Sequence, residues 1–241
     1  MYRILVSSLT WEALEPARMI IAIDGPAGSG KSTVAREVAR RLGAHYLDTG
    51  AMYRAVAWAA LDSGLDLEDE VSVSEMAKGL DITFVREQDS AIPSSVMVAG
   101  VDVTEEIRTP LIDQAVSAVA KMSEVRSAMV PLQRAEASRG DLVAEGRDIG
   151  TVVFPDADLK VFLTASEAER ARRRHLEQIE RGSQVAEETV RELMAARDTA
   201  DSSRATAPLI EADDAWRLDT TGMSVEQVVD AIVRRAGEVR P

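Results

Sequence analysis

Met19-Ile20-Ile21-Ala22-Ile23-Asp24-Gly25-Pro26-Ala27-Gly28-Ser29-Gly30-Lys31-Ser32 is the stretch on which the fold turns. Its first part is a continuous apolar run closed by Asp24, the texture of a strand buried on both faces of a parallel sheet. Gly25 to Ser32 then fit G-x-x-x-x-G-K-[ST] at every fixed position. Val34, Ala35, Val38, Ala39 and Leu42 follow at helical spacing, and Gly43 stands where a helix C-cap is expected. A strand, a glycine-rich loop and a helix in that order make a phosphate cradle. The glycines let the backbone wrap an anion, its N–H groups point inward, and the helix N-terminus adds its dipole. Gly25, Pro26, Ala27, Gly28, Ser29, Gly30, Lys31, Ser32 and Thr33 are therefore the candidate site for the phosphates of ATP. Lys31 is expected to reach the β- and γ-phosphates, and the Ser32 hydroxyl to face Mg²⁺.

Working outward, strands and helices alternate. His45 to Asp48 reads as a second strand and Ala51 to Leu61 as an amphipathic helix that stops near Gly64. Leu80, Ile82 and Phe84 alternate, as do Val96 and Val98, with Ala99-Gly100 as a turn. These predict a small antiparallel insert over roughly 75–108. Helix returns from Leu111 to Met122. Ser123 is expected to cap a second helix reaching about Arg139, with Pro131 kinking it. Leu142 to Ala144, Leu159 to Leu163 and Trp216 to Leu218 supply three more strands. Arg-rich helices fill Glu167 to Arg204, and Ser224 with Gln227 predicts a capping box for the last helix. The expectation is an α/β fold with a five-stranded parallel sheet. Residues 1–18 read as an extension ahead of a domain spanning 19–241.

Composition narrows the function. The chain has 241 residues and a formal net charge of −13, which argues against a nucleic-acid partner. It has no Cys, so disulfides and thiolate metal sites are excluded. No apolar run approaches the roughly 18 residues a membrane helix needs, so a cytoplasmic enzyme with no membrane partner is expected. Asn is absent, which removes both the Asn-Lys-x-Asp motif of guanine-specific switch proteins and the catalytic loop of protein kinases. What remains is a small-molecule kinase or an ATPase that drives a partner. Basic charge is concentrated in Arg170 to Arg204, which carries 8 basic and 7 acidic residues against a strongly acidic remainder. Any anionic ligand is expected to rely on that local patch and on backbone N–H groups.

Four further segments carry more polar residues than a core requires. They are Leu47 to Arg54, Glu145-Gly146-Arg147-Asp148-Ile149-Gly150 running on to Pro155, Glu169 to Arg174, and Arg197 to Arg204. Together with the phosphate loop, in this order and spacing, they resemble the bacterial cytidylate kinases over residues 19–241. The resemblance implies a P-loop nucleoside monophosphate kinase fold with a helical lid, here about 166–206, and an antiparallel insert in the monophosphate-binding region. It implies transfer of the γ-phosphoryl group of ATP to CMP or dCMP by a monomer. It further implies that Thr49, Tyr53, Arg54 and Arg147 surround the acceptor phosphate and that Ser117, Arg126 and Asp148 read the cytosine. Arg197, Asp201 and Arg204 would hold sugar and phosphate. Lys31, Arg147, Arg174 and Arg197 would act on the transferring group. Thr49 and Glu145 stand where many relatives carry Ser and Asp, each keeping its hydroxyl or carboxylate.

The residues themselves support these roles unequally. Cytosine offers an amino donor and two acceptors, which suits a carboxylate with an arginine. Asp148 could equally cap the turn at Ile149, Thr49 the helix at Ala51, and Tyr53 could simply fill core. Ser117 and Arg126 are nine residues apart and converge only if the chain breaks near Ser123. Arg197, Asp201 and Arg204 share a helical face, as an ordinary salt-bridge ladder would. Arg170, Arg173 and Arg174 either clamp phosphates or are balanced by Glu167, Glu169 and Glu177. A different small-molecule kinase, of the UMP/CMP or shikimate type, shares much of this pattern.

Overall fold

The computed structural model describes residues 18–87, 90, 92–180, 182 and 185–240. The proposed extension therefore lies outside the described residues, except for Arg18. The apolar run forms β1 (Ile20–Asp24), and the loop leads into α1 (Lys31–Leu42). Gly43, at φ 65°, closes α1 in the left-handed conformation a C-cap requires. Next come β2 (His45–Asp48), α2 (Thr49–Asp62) and α3 (Glu70–Lys78). A three-stranded antiparallel sheet of β3 (Ile82–Val85), β4 (Ser95–Val98) and β5 (Val101–Asp102) is followed by α4 (Pro110–Ala120) and α5 (Ser123–Ala135). β6 (Leu142–Gly146) runs into a π-turn at Ile149–Val153, then β7 (Leu159–Thr164). α6 (Glu167–Glu180), α7 (Glu187–Ser202), β8 (Trp216–Asp219) and α8 (Val225–Val239) complete the chain.

The large sheet has the order β2-β6-β1-β7-β8, and every pair in it is parallel. Alternation along β1 assigns its faces. Ile21 and Ile23 point to a core made with Val34 and Val38 of α1 and Val229 and Ile232 of α8. Ala22 points the other way, into a larger core with Met52 and Val56 of α2, Val116 and Val119 of α4 and Met129 of α5. Helices on both faces explain why the central strands carry no polar stripe. No helix among the described residues is long and apolar enough to cross a membrane.

Several expected boundaries shift. The antiparallel strands begin at Ile82, and Glu75 to Lys78 instead finish α3, whose N-cap Asp69 accepts from Ser72 N–H at 3.1 Å. Ser123 makes no side-chain cap. Met122 holds the cap position and Ser123 is already helical. Two helices nonetheless break between Ala120 and Ser123, where the convergence of Ser117 and Arg126 requires it. α5 ends at Ala135, and a 3₁₀ turn carries the chain to Arg139.

The capping box on α8 forms as expected: Ser224 Oγ accepts from Gln227 N–H at 3.2 Å, and Gln227 Oε1 accepts from Ser224 N–H at 2.9 Å. Val228, Val229, Ile232 and Ala236 of α8 are buried in the core on one sheet face, so its start matters to stability. Ser224→Ala should lower unfolding free energy by about 1 kcal/mol, read as a shift in the urea midpoint at unchanged slope.

Candidate active site

In a parallel sheet with helices on both faces, ligands gather beyond the C-terminal strand ends. Here β1 ends at Asp24, with Asp24 beside Gly146 of β6, and Asp48 of β2 lies beside Glu145. The phosphate loop and the Gly146-Arg147-Asp148 segment thus leave adjacent strands side by side.

The loop geometry demands its first glycine. Gly25 has φ +150°, and a Cβ there would stand 2.0 Å from the Leu163 carbonyl oxygen of β7. Lys31 is the first residue of α1 and is buried; its Nζ donates to Pro26 O at 2.7 Å and lies 3.4 Å from Ser29 Oγ. Burial pushes its pKa well down, and the neighbouring Arg147 adds to this, while Glu145 and Asp24 pull the other way. The Lys31 ammonium is therefore held among cations and carboxylates at the mouth of the loop. Thr33 is exposed on the first turn of α1.

Below the loop lies a buried acidic floor. Asp24 accepts from Ile149 N–H at 2.8 Å and Gly150 N–H at 2.7 Å, which seats the π-turn on the end of β1. Burial raises its pKa to about 6, against the lowering effect of those two hydrogen bonds. Glu145 receives the Tyr46 hydroxyl at 2.5 Å and the Ser32 hydroxyl at 3.0 Å. Burial and the nearby Asp48 carboxylate push the Glu145 pKa up. Thr49 is buried in the first turn of α2, and its hydroxyl donates to the Glu145 carbonyl at 2.7 Å. Asp48, accepting from Ala51 N–H at 2.9 Å, is the side chain that caps α2. Thr49 is thus a brace between α2 and β6.

Arg126 and Asp148 form a buried ion pair, with side-chain exposures of 4% and 5%. Arg126 also donates to Ala120 O at 3.3 Å, and its guanidinium carbon lies 5.2 Å from the centre of the Tyr53 ring. Tyr53 is buried, so it fills core and stacks on Arg126 at once. Asp148 caps nothing with its side chain; its carboxylate is turned to Arg126 instead. Ser117 is half-buried on α4, the helix whose last carbonyl receives Arg126.

Asp201, only 1% exposed, holds two arginines: Arg147 Nε at 2.8 Å and Arg204 on its other oxygen. Burial alone would raise the Asp201 pKa, but Arg147 and Arg204 outweigh it and hold the carboxyl low. Arg204 lies beyond the end of α7 at Ser202, so the shared helical face covers Arg197 and Asp201 only. Arg197 has a buried Nε with no hydrogen-bond partner. Its pKa falls to about 10 through burial and the closeness of Arg147. A half-buried cation with a free, buried Nε–H donor, close to another cation, is suited to receive an anion.

The arginines of α6 divide their duties. Arg170 is buried, donating to Ala27 O at 3.0 Å and pairing with Asp198, which also accepts from Ala27 N–H at 3.2 Å. Arg173 donates to Thr220 Oγ1 and Thr220 O, both at 2.9 Å. Arg172 is an exposed partner of Glu169. Arg174 reaches across to α4, with Asp113 at 2.7 Å and Glu177 at 2.8 Å. Arg170 and Arg173 are thus fixed to the loop and to the turn after β8. Arg170, Arg173 and Arg174, which share one helical face, each have a different partner outside α6: Asp198, Thr220 and Asp113.

Four participants went unread in the sequence: Asp24, Asp198, Gln133 and Asp113. Gln133 is fully buried beside the Tyr53 hydroxyl. Asp113 pairs with Arg54 at 2.5 Å as well as with Arg174. Its signal was available, since it lies four residues before Ser117 on one face of α4.

Comparison with known proteins gives consistent matches. The family model described as cytidylate kinase matches residues 21–238. A cytidylate kinase from Desulfitobacterium hafniense (strain Y51) is 51% identical over 213 residues, covering 88% of this chain and 90% of that protein. A bifunctional pantoate ligase/cytidylate kinase from Synechococcus sp. (strain CC9605) is 52% identical over 218 residues. That match covers 89% of this chain and 44% of the relative, so the chain spans less than half of the bifunctional protein's length. Among solved structures, an uncharacterized protein from Eubacterium ventriosum ATCC 27560 superposes with a TM-score of 0.51 at 14% identity. It covers 91% of this chain and 99% of that one, a likeness of fold alone.

Proposed function

Because the chain belongs to the cytidylate kinase family, we propose that it transfers the γ-phosphoryl group of ATP to CMP, and to dCMP, giving ADP and the diphosphate. The observation that carries this reading is the pairing of two anion sites on neighbouring strand ends. The phosphate loop follows β1, and Arg147 and Asp148 follow β6 next to it. Two polyanions that repel in water can be held there with their reacting oxygens close. Positioning and charge neutralisation then supply most of the rate.

The acceptor oxygen belongs to a phosphate that is already anionic, so no general base is required. Lys31, Arg147 and Arg197 cluster where charge develops, and Arg54 and Arg174 approach from the acceptor side and from α6. Asp148 and Arg126 together present one acceptor and several donors, the complement of a cytosine edge. Asp201 and Arg204 serve the sugar and its phosphate. α6 and α7 act as the lid over the nucleotide, excluding water that would otherwise hydrolyse ATP.

The donors also fit Mg²⁺. Among the described residues no group of three or more His, Cys, Asp or Glu could hold a metal by itself. A cation that keeps waters and shares nucleotide phosphates needs only one or two protein oxygens. Ser32 and Glu145, already in contact, would hold it, and the buried negative charge of Glu145 beside Asp48 favours a cation there. Bound there, Mg²⁺ would supply positive charge to offset the negative charge of the nucleotide phosphates.

The test is direct. Incubated with Mg²⁺-ATP and each nucleoside monophosphate in turn, the chain should convert CMP to CDP fastest, with UMP slower and the purine nucleotides slower still. Separation of products by anion exchange reads the result. A larger yield from UMP or AMP, or phosphate release with no diphosphate formed, would refute this assignment.

A further inference from the structure

Resting on that functional reading, we propose that Asp113 is a positioning residue that aligns Arg54 of the acceptor side with Arg174 of the lid. Asp113 sits in the first turn of α4, a helix whose other inward residues, Ile112, Val116 and Val119, are apolar and buried. Its two carboxylate oxygens face opposite partners. Oδ1 lies 2.5 Å from Arg54 Nη2 on α2, and Oδ2 lies 2.7 Å from Arg174 Nη2 on α6. Arg54 is held a second time by Ile107 O at 3.2 Å, and Arg174 by Glu177 at 2.8 Å.

Two guanidinium groups brought this close repel unless a negative charge lies between them. Asp113 supplies that charge, and it also favours the cationic form of Arg197. All three side chains are about one-fifth exposed, so the pairing is screened less than a surface ion pair. A guanidinium has five N–H donors. Both contacts with Asp113 use Nη2: Arg174 by a hydrogen bond to Oδ2, and Arg54 as an ion pair with Oδ1, an oxygen that accepts no hydrogen bond. The carboxylate thus draws the two groups together without covering their Nε–H edges. The bridge spans two helices that must approach for transfer to occur, one beside the acceptor and one in the lid. Asp113 touches neither phosphate in this scheme and acts through the arginines.

Steady-state kinetics on the full chain test this with Asp113→Asn, Asp113→Glu, Arg174→Gln and the double variant Asp113→Asn with Arg174→Gln. Asp113→Asn should lower kcat with CMP about tenfold, as expected when phosphate-binding groups lose their alignment. Asp113→Glu should keep at least roughly half of the parent kcat, because the charge remains. The double variant should fall within about twofold of Arg174→Gln alone, since residues that act as one unit are not additive. A parent-like Asp113→Asn, an Asp113→Glu as impaired as Asp113→Asn, or effects that multiply in the double variant would each overturn the proposal. A parent chain that makes no CDP refutes the functional assignment instead, so the two failures are told apart.

Discussion

Lys31→Ala is expected to reduce kcat by roughly two to three orders of magnitude, the range seen when a preorganised charge facing the transition state is removed. The Lys31 ammonium sits among Pro26 O, Ser29, Asp24 and Glu145, where the loop, the acidic floor and Arg147 meet. Substitution removes both the point charge for the phosphates and the donor that fills the loop's own carbonyl. The fold should survive, because burial already penalises the charged amine, and Asp24 and Glu145 can relax by binding protons more readily. A coupled ADP assay at saturating Mg²⁺-ATP and CMP reads turnover, and a thermal melt checks the fold. Turnover within fivefold of the parent would remove the phosphate loop from the mechanism.

The second large effect concerns base identity. Asp148→Asn should lower kcat/KM for CMP by about one to two orders of magnitude, since a good base contact is worth roughly 1–3 kcal/mol. UMP carries an acceptor where cytosine carries its amino group, so an amide at this position should harm UMP less or help it. The buried pairing with Arg126 adds a second expectation. Removing the negative charge leaves a buried guanidinium poorly matched, which should cost roughly 2 kcal/mol of stability. The two effects separate cleanly, because stability moves both substrates together while base reading changes their ratio. If the CMP to UMP efficiency ratio stays at the parent value and only the melting point falls, Asp148 is a brace between α5 and the π-turn and reads no base.

The parts of this molecule that were legible in the sequence are those whose information is local. The loop, the strand before it and the helix after it declare themselves within 24 residues, because turn chemistry and periodicity operate over short spans. The α8 capping box is read from two residues three apart. What stayed hidden is the set of partners far apart in the chain. Asp24 closes an apolar strand and looks like an ordinary terminator, yet its oxygens belong to N–H groups 125 and 126 residues on. Glu145 is a departure within a motif, and its partner Tyr46 is separated from it by 99 residues. The arginines of α6 show the same limit. Four cations in five residues signal a strong field, but only the arrangement of Asp198, Thr220 and Asp113 decides which of them faces a ligand. Helix ends were misjudged where sequence punctuation competes, as at Met122 and Ser123, where a serine that could cap lies one residue inside the helix.

The order of the large sheet has a further meaning. β1 lies between β6 and β7, so the donor loop and the acceptor segment are anchored to neighbouring strands that share backbone hydrogen bonds. Neighbouring strands stand about 4.8 Å apart wherever they occur, a spacing no side chain can alter. On the proposed function, the sheet would serve as a fixed gauge for the gap across which the phosphoryl group passes. Base preference, by contrast, would on the proposed function be carried by the π-turn and by two helices that lean on it. Substitutions there can retune which nucleotide is accepted and leave the gauge untouched. Such a division would let one scaffold change its clientele many times over without relearning how to bring two phosphates within reach of each other.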